Sequence, residues 1–395
     1  MKTISLPLIS FTFLSIVGFG QPLYLSDFQY FSESEISGGG PYTGSYVTFG
    51  PNDLLEGFVH TNGELLLSSA GCPQFLGFVE AVNGIDTSAC SPDDVFLAGY
   101  NAAADSFYLP TNDIVDELAA YATHLFIADS MIGRHGLQDS LIMTELEFTV
   151  SGFNVNQWSY IIPPIMGDSS EFNEFAYYHN HAESGEACQM DGFHHFDFPA
   201  PENPADFIMY QQFFSDTSAI IHIQGGQLQV SGVVYGQYVI ITDEKTEYLR
   251  PDSSGIADYC YNNIWIIDDI IYTDSQVNGE VSPGSASRLG LVSGANIIVA
   301  NTIANGGGNA IGGPGVIINA ALVTLNGSFV AHYWQNTCDS LYSFPDFEDP
   351  SLSKGDGRGH SRMGVVTGDD SRGVVNLWGA LIQNKRGFMK RNNPG

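Results

Sequence analysis

Large apolar residues alternate with polar or small ones through much of the second half of the chain. Leu228, Val230, Gly232 and Val234 share one parity, and so do Trp265, Ile267, Asp269 and Ile271. The pattern returns at Val316, Ile318, Ala320 and Leu322, and again at Val375, Leu377, Gly379 and Leu381. A period of two sets each quartet on one face of an extended strand. The third position is always small or kink-prone, which is what a strand needs to turn a corner beside its neighbour. Self-similar strands of this kind predict a solenoid in which each rung buries its face against the next. The quartets begin 37, 51 and 59 residues apart, so loops of unequal length leave between rungs. The expected fold is mainly β: a right-handed parallel β-helix or β-solenoid-like core over 218–391, with an inserted lobe that contains one α-helix.

The first half reads less regularly. After a polar lead-in over 21–50, residues 51–100 predict further β rungs. There, Asp53–Ser69 reads as two short strands around Thr61-Asn62-Gly63, with Asn-Gly supplying a left-handed turn. Phe75–Val82 is a third strand and Cys90–Asp94 a loop. The inserted α+β lobe covers 101–217. Its helix begins near Pro110, with Thr111 as N-cap and acidic Asp113, Asp116 and Glu117 in the first turns. Ile114, Leu118, Tyr121 and Leu125 recur on one helical face. Leu141–Val150 and Trp158–Pro164 are strands, and Met166–Phe207 is long loop.

The first twenty residues change the setting. Lys2 and the apolar run Ile4–Val17, ahead of Gly18-Phe19-Gly20, read as a secretory signal peptide cleaved after Gly20. No later stretch is apolar for the roughly 18 residues a spanning helix needs. The expected place is the periplasm, the cell surface or the medium. The chain carries 44 acidic and 13 basic residues, a formal charge of −31. Such a surface repels phosphates and argues against nucleic-acid and anionic-membrane partners. Nine of the basic residues follow position 287, ending in Lys385-Arg386 and Lys390-Arg391, which read as a solvated end cap. Residues 392–395 form a tail and read as a point of truncation.

Several blocks, in order, resemble an uncharacterised domain of exported bacterial proteins. Its N-terminal mark is a Gly-x-Val-His-Thr/Ser-Asn-Gly run followed by a Pro-x-Phe-x-Gly strand. Here these correspond to LLEGFVHTNGELLLSS and CPQFLGFVEA. VVYGQYVIIT, NIWIIDDIIYTD, RLGLVSGANIIVAN, GVIINAALVTLNGSF and GVVNLWGALIQNKRGFM resemble the later blocks, so the likeness spans most of 24–391. The domain often stands behind a pilin-like helix resembling those of PilX-type pilus-assembly proteins; this chain has a signal peptide instead. The resemblance implies a β-helix-like exported domain associated with a surface appendage, and it carries no catalytic residues.

Candidate chemistry is sparse. His179, His181, His194 and His195 fall within 17 residues of one another. An HxH pair on a strand points both imidazoles to one face, as zinc and copper sites require. Zinc there, or calcium on exposed carboxylates, is the divalent-cation reading. Cys72 and Cys90 flank one loop and are the disulfide candidates among five cysteines. His60, Thr61, Asn62 and Gly63 read as a structural turn. Asp268-Asp269 interrupts an apolar strand, but adjacent strand residues face opposite ways and do not flank one scissile bond. The glycine-rich stretch 305–315 lacks a phosphate loop's GK[ST] ending. These features point to a non-enzymatic structural or adhesive surface protein whose partners are pilus or other surface proteins. The alternative is a carbohydrate-active β-helix enzyme or glycan-binding module. Metal analysis of purified protein tests the histidine reading: stoichiometric zinc or copper supports it, and neither metal removes it.

Overall fold

The computed structural model describes residues 15–16, 23–24, 27–36, 46–128, 131–135, 138–160, 200–249, 257–300, 302, 304–305, 315–331 and 374–387. These residues are mainly β, arranged in sheets whose pairings are mostly parallel, with two short helices, α1 (Pro92–Val95) and α2 (Asp113–Ala119). The histidines 179, 181, 194 and 195 lie outside them.

One sheet of ten strands organises the rest. Its strands, in chain order, are β1 (Tyr30–Ser34), β2 (Val59–Thr61), β3 (Val79–Ala81), β4 (Tyr100–Asn101), β5 (His124–Ile127), β6 (Ser218–Gln224), β7 (Gln237–Thr242), β8 (Arg288–Ser293), β9 (Ala321–Thr324) and β10 (Ala380–Lys385). Every pairing in it is parallel. The order across the sheet is β4-β3-β2-β1-β10-β9-β8-β7-β6-β5. The chain therefore starts mid-sheet, steps outward to one edge, crosses to the opposite edge, and steps back until its last strand lies against its first.

Between β6 and β10 the chain visits a second sheet after each step, through Gln227–Val234, Ile264–Tyr272, Ile297–Val299 with Val316–Ile318, and Phe329–Ala331 with Val375–Leu377. Inward residues from both sheets form one core, with Ile221, Ile240 and Leu291 facing Val230, Ile266 and Ile297. Aromatics from the antiparallel strands Gly152–Tyr160 and Phe207–Phe214 close its end: Phe153 stacks on Phe214, with centroids 5.2 Å apart.

Several expectations are corrected. The 54–66 stretch is not a hairpin. Leu54–Leu55, Val59–Thr61 and Leu65–Leu66 belong to three different sheets. Each pairs in parallel with a strand 20 residues later, as Leu54 with Gln74, Val59 with Val79 and Leu65 with Ile85. Neither Asn62 nor Gly63 has a positive φ, so the left-handed turn is absent and the chain bends there as a corner. The register of the later strands also shifts. Leu228 pairs with Ile264 rather than Trp265, and Gly232 pairs with Ile270, because a bulge at Asp268-Asp269 adds residues between them. The small third positions keep their purpose. A Cβ on Gly379 would lie 1.9 Å from the Ala320 carbonyl oxygen, and Gly232 has a φ of 108°.

The lobe expected over 101–217 supplies strands to both sheets: β5 pairs with β6, and Gln138–Thr149 pairs with Gln227–Val234. Its helix is shorter than the sequence pattern implied. Asn112, not Thr111, is the N-cap, Val115 is its buried residue, and Tyr121 is 71% exposed. Leu125 lies in β5. The Cys90–Asp94 loop carries α1.

Cys72 and Cys90 are joined in a disulfide that ties the segment before Gln74–Phe75 to the segment before α1. Closing an 18-residue separation is worth about 3 kcal/mol on chain-entropy grounds. Replacing both cysteines with serine should lower the unfolding free energy by about that amount. A chemical-denaturation midpoint unmoved by the double substitution would contradict this.

Candidate functional site

Polar side chains concentrate where the first and last strands meet. β10 pairs with β1 through Leu381 opposite Tyr30, Ile382 opposite Phe31 and Gln383 opposite Ser32. Arg386 follows β10, and its backbone N–H donates to the Ser34 carbonyl at 2.9 Å. Its guanidinium turns inward. Nη1 is 3.1 Å from Glu35 Oε2, Nη2 is 3.7 Å from Asp53 Oδ2, and the group lies 3.4 Å from the Phe49 ring centre. Glu35 is 1% exposed, and its other oxygen accepts from Tyr30 Oη at 3.0 Å and from Ser32 Oγ. The expected solvated cap is thus corrected at Arg386, which is buried.

Burial opposes the charge on Arg386, but Tyr30, Glu35 and Asp53 outweigh it and hold its pKa above the ordinary value. Burial first, and Glu35 second, push the Tyr30 phenol well above its usual range. The guanidinium has bidentate-capable donors, a π face and two carboxylates, which suits it to an interior position that a lysine would not fill.

The corner beside this node is a column of buried hydroxyls and amides. Thr242, Ser293, Thr324, Gln383, Ser32 and Thr61 stand in register on successive strands. Ser293 Oγ donates to the Asn296 carbonyl and Thr324 Oγ1 to the Gly327 carbonyl, each at 3.1 Å. These two hydroxyls each satisfy a carbonyl three residues on, which sets the bend where the chain leaves the sheet. At this corner the hydroxyls of Thr242, Ser293 and Thr324 are taken up by carbonyls of the chain itself.

A second cluster lies on the outer face of the same sheet. The outward residues form a ladder from edge to edge: Leu125, His222, Ile241, Val292, Val323, Ile382, Phe31, His60, Glu80 and Asn101. Its middle is apolar and is covered by the segment 107–122, a strap that includes α2 and crosses between the sheet's two edges. Val115 and Leu109 pack on Ile241, Val292, Val323 and Ile382. Beyond the strap the ladder opens, and Leu125 is 53% exposed. Asn112 Nδ2 donates to Glu244 Oε2 at 2.9 Å, and Thr123 N–H donates to the Ile220 carbonyl at 2.8 Å.

The near end of the strap is gripped by the residues expected as a turn. His60 and Thr61 are on β2, and Asn62 and Gly63 are at the bend after it. Asn62 Oδ1 accepts from Phe107 N–H at 3.0 Å, while its Nδ2 donates to the Phe107 carbonyl at 2.5 Å and to Glu33 Oε2 at 2.7 Å. His60 is fully buried between Phe31, stacked at 5.6 Å, and Phe107, edge-on at 4.5 Å. Its Nε2 is 3.1 Å from Asn62 Oδ1 and its Nδ1 is 3.3 Å from Glu80 Oε2. Burial lowers the imidazole's pKa below the ordinary histidine value, while Asn62, Glu80 and Glu33 draw it back. Thr61 Oγ1 accepts from Gly63 N–H at 3.0 Å.

The structure does not bring Asp268 and Asp269 together on a reacting centre. Asp268 accepts from the N–H of Asp269 and is exposed, whereas Asp269 Oδ1 accepts from Ile317 N–H at 2.8 Å. Two histidines not singled out in the sequence also sit beside carboxylates. His222 Nε2 is 2.8 Å from Asp243 Oδ1 and His124 Nε2 is 3.2 Å from Asp216 Oδ2. Among the described residues, no group of three or more His, Cys, Asp or Glu is placed to hold a metal ion. Also among them, no helix is long and apolar enough to cross a membrane. No family model, curated protein or solved structure matches this chain.

Removing Arg386 strands Glu35 in the interior. Arg386→Met should cost about 3–5 kcal/mol, the range for breaking a buried ion pair from one side. Adding Glu35→Gln should recover part of it. Urea denaturation of the two single variants and the double variant measures the coupling; additive losses would show that the pair does not act as a unit.

Proposed function

We propose that this chain is a non-enzymatic structural or adhesive component, exported and held at the cell surface, built on a right-handed parallel β-solenoid. One observation carries the reading: ten parallel strands, stepped in sequence from β6 to β10 and from β1 to β4, join two arms of the chain into a single ladder. Ladders of this form give extended, stiff surfaces in which each rung supports the next. The resemblance of the GFVHTNG and later blocks to a domain of PilX-associated proteins adds a place to the shape, namely a pilus or another surface filament.

The fates of the reactive side chains agree with a scaffold. His60 closes on Asn62, Arg386 on Glu35, and Asp269 on a backbone N–H. Each ties one stretch of chain to another. The formal charge of −31 favours a solvated protein that repels like surfaces, so its partner should present cations or neutral glycan rather than phosphate.

Shear fractionation of cells that make the protein, followed by crosslinking mass spectrometry, tests this directly. The expected result is recovery with sheared filaments and crosslinks to filament subunits. Recovery as a free monomer without crosslinks, together with glycan cleavage by the purified protein, would overturn it in favour of a carbohydrate-active enzyme.

A further inference from the structure

The orientation of one amide decides what His60 is asked to do. Phe107 presents both its N–H and its carbonyl to the Asn62 side chain, at 3.0 and 2.5 Å. Flipping the amide would set N–H against N–H and oxygen against oxygen, so the Phe107 backbone fixes Oδ1 where it stands. That same Oδ1 lies 3.1 Å from His60 Nε2. A neutral ring therefore carries its proton on Nε2, and Nδ1 faces Glu80 Oε2 at 3.3 Å without one.

The strap also supplies the cover. The Phe107 ring meets the imidazole edge-on, Phe31 stacks on it, and Phe28, just before β1, is edge-on at 5.9 Å. The charged groups acting on His60 are Glu80 from β3 and Glu33 from β1, both on the sheet, whereas the strap faces it with the Phe107 ring. Lifting Phe107 and Tyr108 would break the two Asn62 bonds and remove the Phe107 cover while leaving both carboxylates in place.

We propose that His60 is the catch of a proton-sensitive latch: taking up a proton there loosens the near end of the strap, Phe107 and Tyr108, from the outer face of the first sheet. The sign follows from linkage. Docking desolvates the ring and disfavours its charged form, so a proton must disfavour docking by the same factor. The docked ring titrates below the ordinary value, so the grip is full where the ring is neutral in both states and weakens as pH falls toward the docked value. The loosening is confined to Phe107 and Tyr108, because Leu109 and Val115 are packed on the apolar ladder and Asn112 is bonded to Glu244. Phe107 also packs edge-on against Phe28 at 5.6 Å, and Phe28 stacks on Phe58 at 5.1 Å. The consequence is an aromatic patch around Phe28, Phe31 and Phe58, opened to solvent or a partner in acid.

Hydrogen exchange of peptides spanning 102–112 reads the latch in the intact protein. After correction for intrinsic rates, the opening equilibrium should rise between pH 7.5 and 5, up to about tenfold for each unit by which docking lowers the titration. In His60→Gln the rise should vanish. A wild-type opening that does not change with pH, or a rise that survives in His60→Gln, overturns the proposal. A reciprocal measurement avoids dependence on that variant: the His60 ring titration followed by NMR should move upward in Phe107→Ala. An unmoved midpoint also overturns it.

Discussion

The pairing of β10 with β1, sealed by Arg386 against Glu35, is the contact without which the architecture divides in two. The sheet order makes this plain. Strands β1 to β4 and strands β5 to β10 are separate runs of chain that advance in the same direction, and they share one ladder only because the last strand lies against the first. Leu381 accordingly packs on both cores, the one behind β6–β10 and the one behind β1–β4. A seam between runs this far apart in sequence has large loop entropy against it. A buried guanidinium that meets a carboxylate and a phenyl face gives the seam a unique register as well as energy.

The same topology explains the strap. A chain that ends its first run at one edge of the sheet must return to the other edge before its second run begins. It does so over the outer face, where a parallel sheet in water would otherwise expose Ile241, Val292, Val323 and Ile382. The return path is therefore part of the core. Its two ends are fixed by side chains that imitate backbone partners, Asn62 on Phe107 and Thr123 on Ile220. Local stability should follow this division, with the middle of the strap firm and its polar ends the first to open.

Much of the strand content was legible in the sequence, because period-two alternation survives even where loops intervene. The register was not. Trp265 is large and fully buried and took the place of Ile264 in the pattern, although Ile264 pairs with Leu228. The 20-residue spacing in the first arm had a visible signal in Gly57-Phe58-Val59 and Gly77-Phe78-Val79. Asn-Gly after the first triplet pointed instead to a hairpin, yet the chain turns there without a positive φ. Arg386 had no local signal at all. Its neighbour Lys385 made the pair look solvated, and its partner Glu35 is 351 residues away. The His60 block was legible as structural, but its partner Phe107, 45 residues from Asn62, was not.

Native-state hydrogen exchange across a denaturant series tests the seam most directly. If β1–β10 pairing unites the two arms, amides of β2 and β3 should exchange with the same free energy and denaturant slope as those of β9 and β10. A first arm that opens at clearly lower free energy, while β9 and β10 stay protected, would contradict it. That outcome would make the molecule two units in contact rather than one ladder.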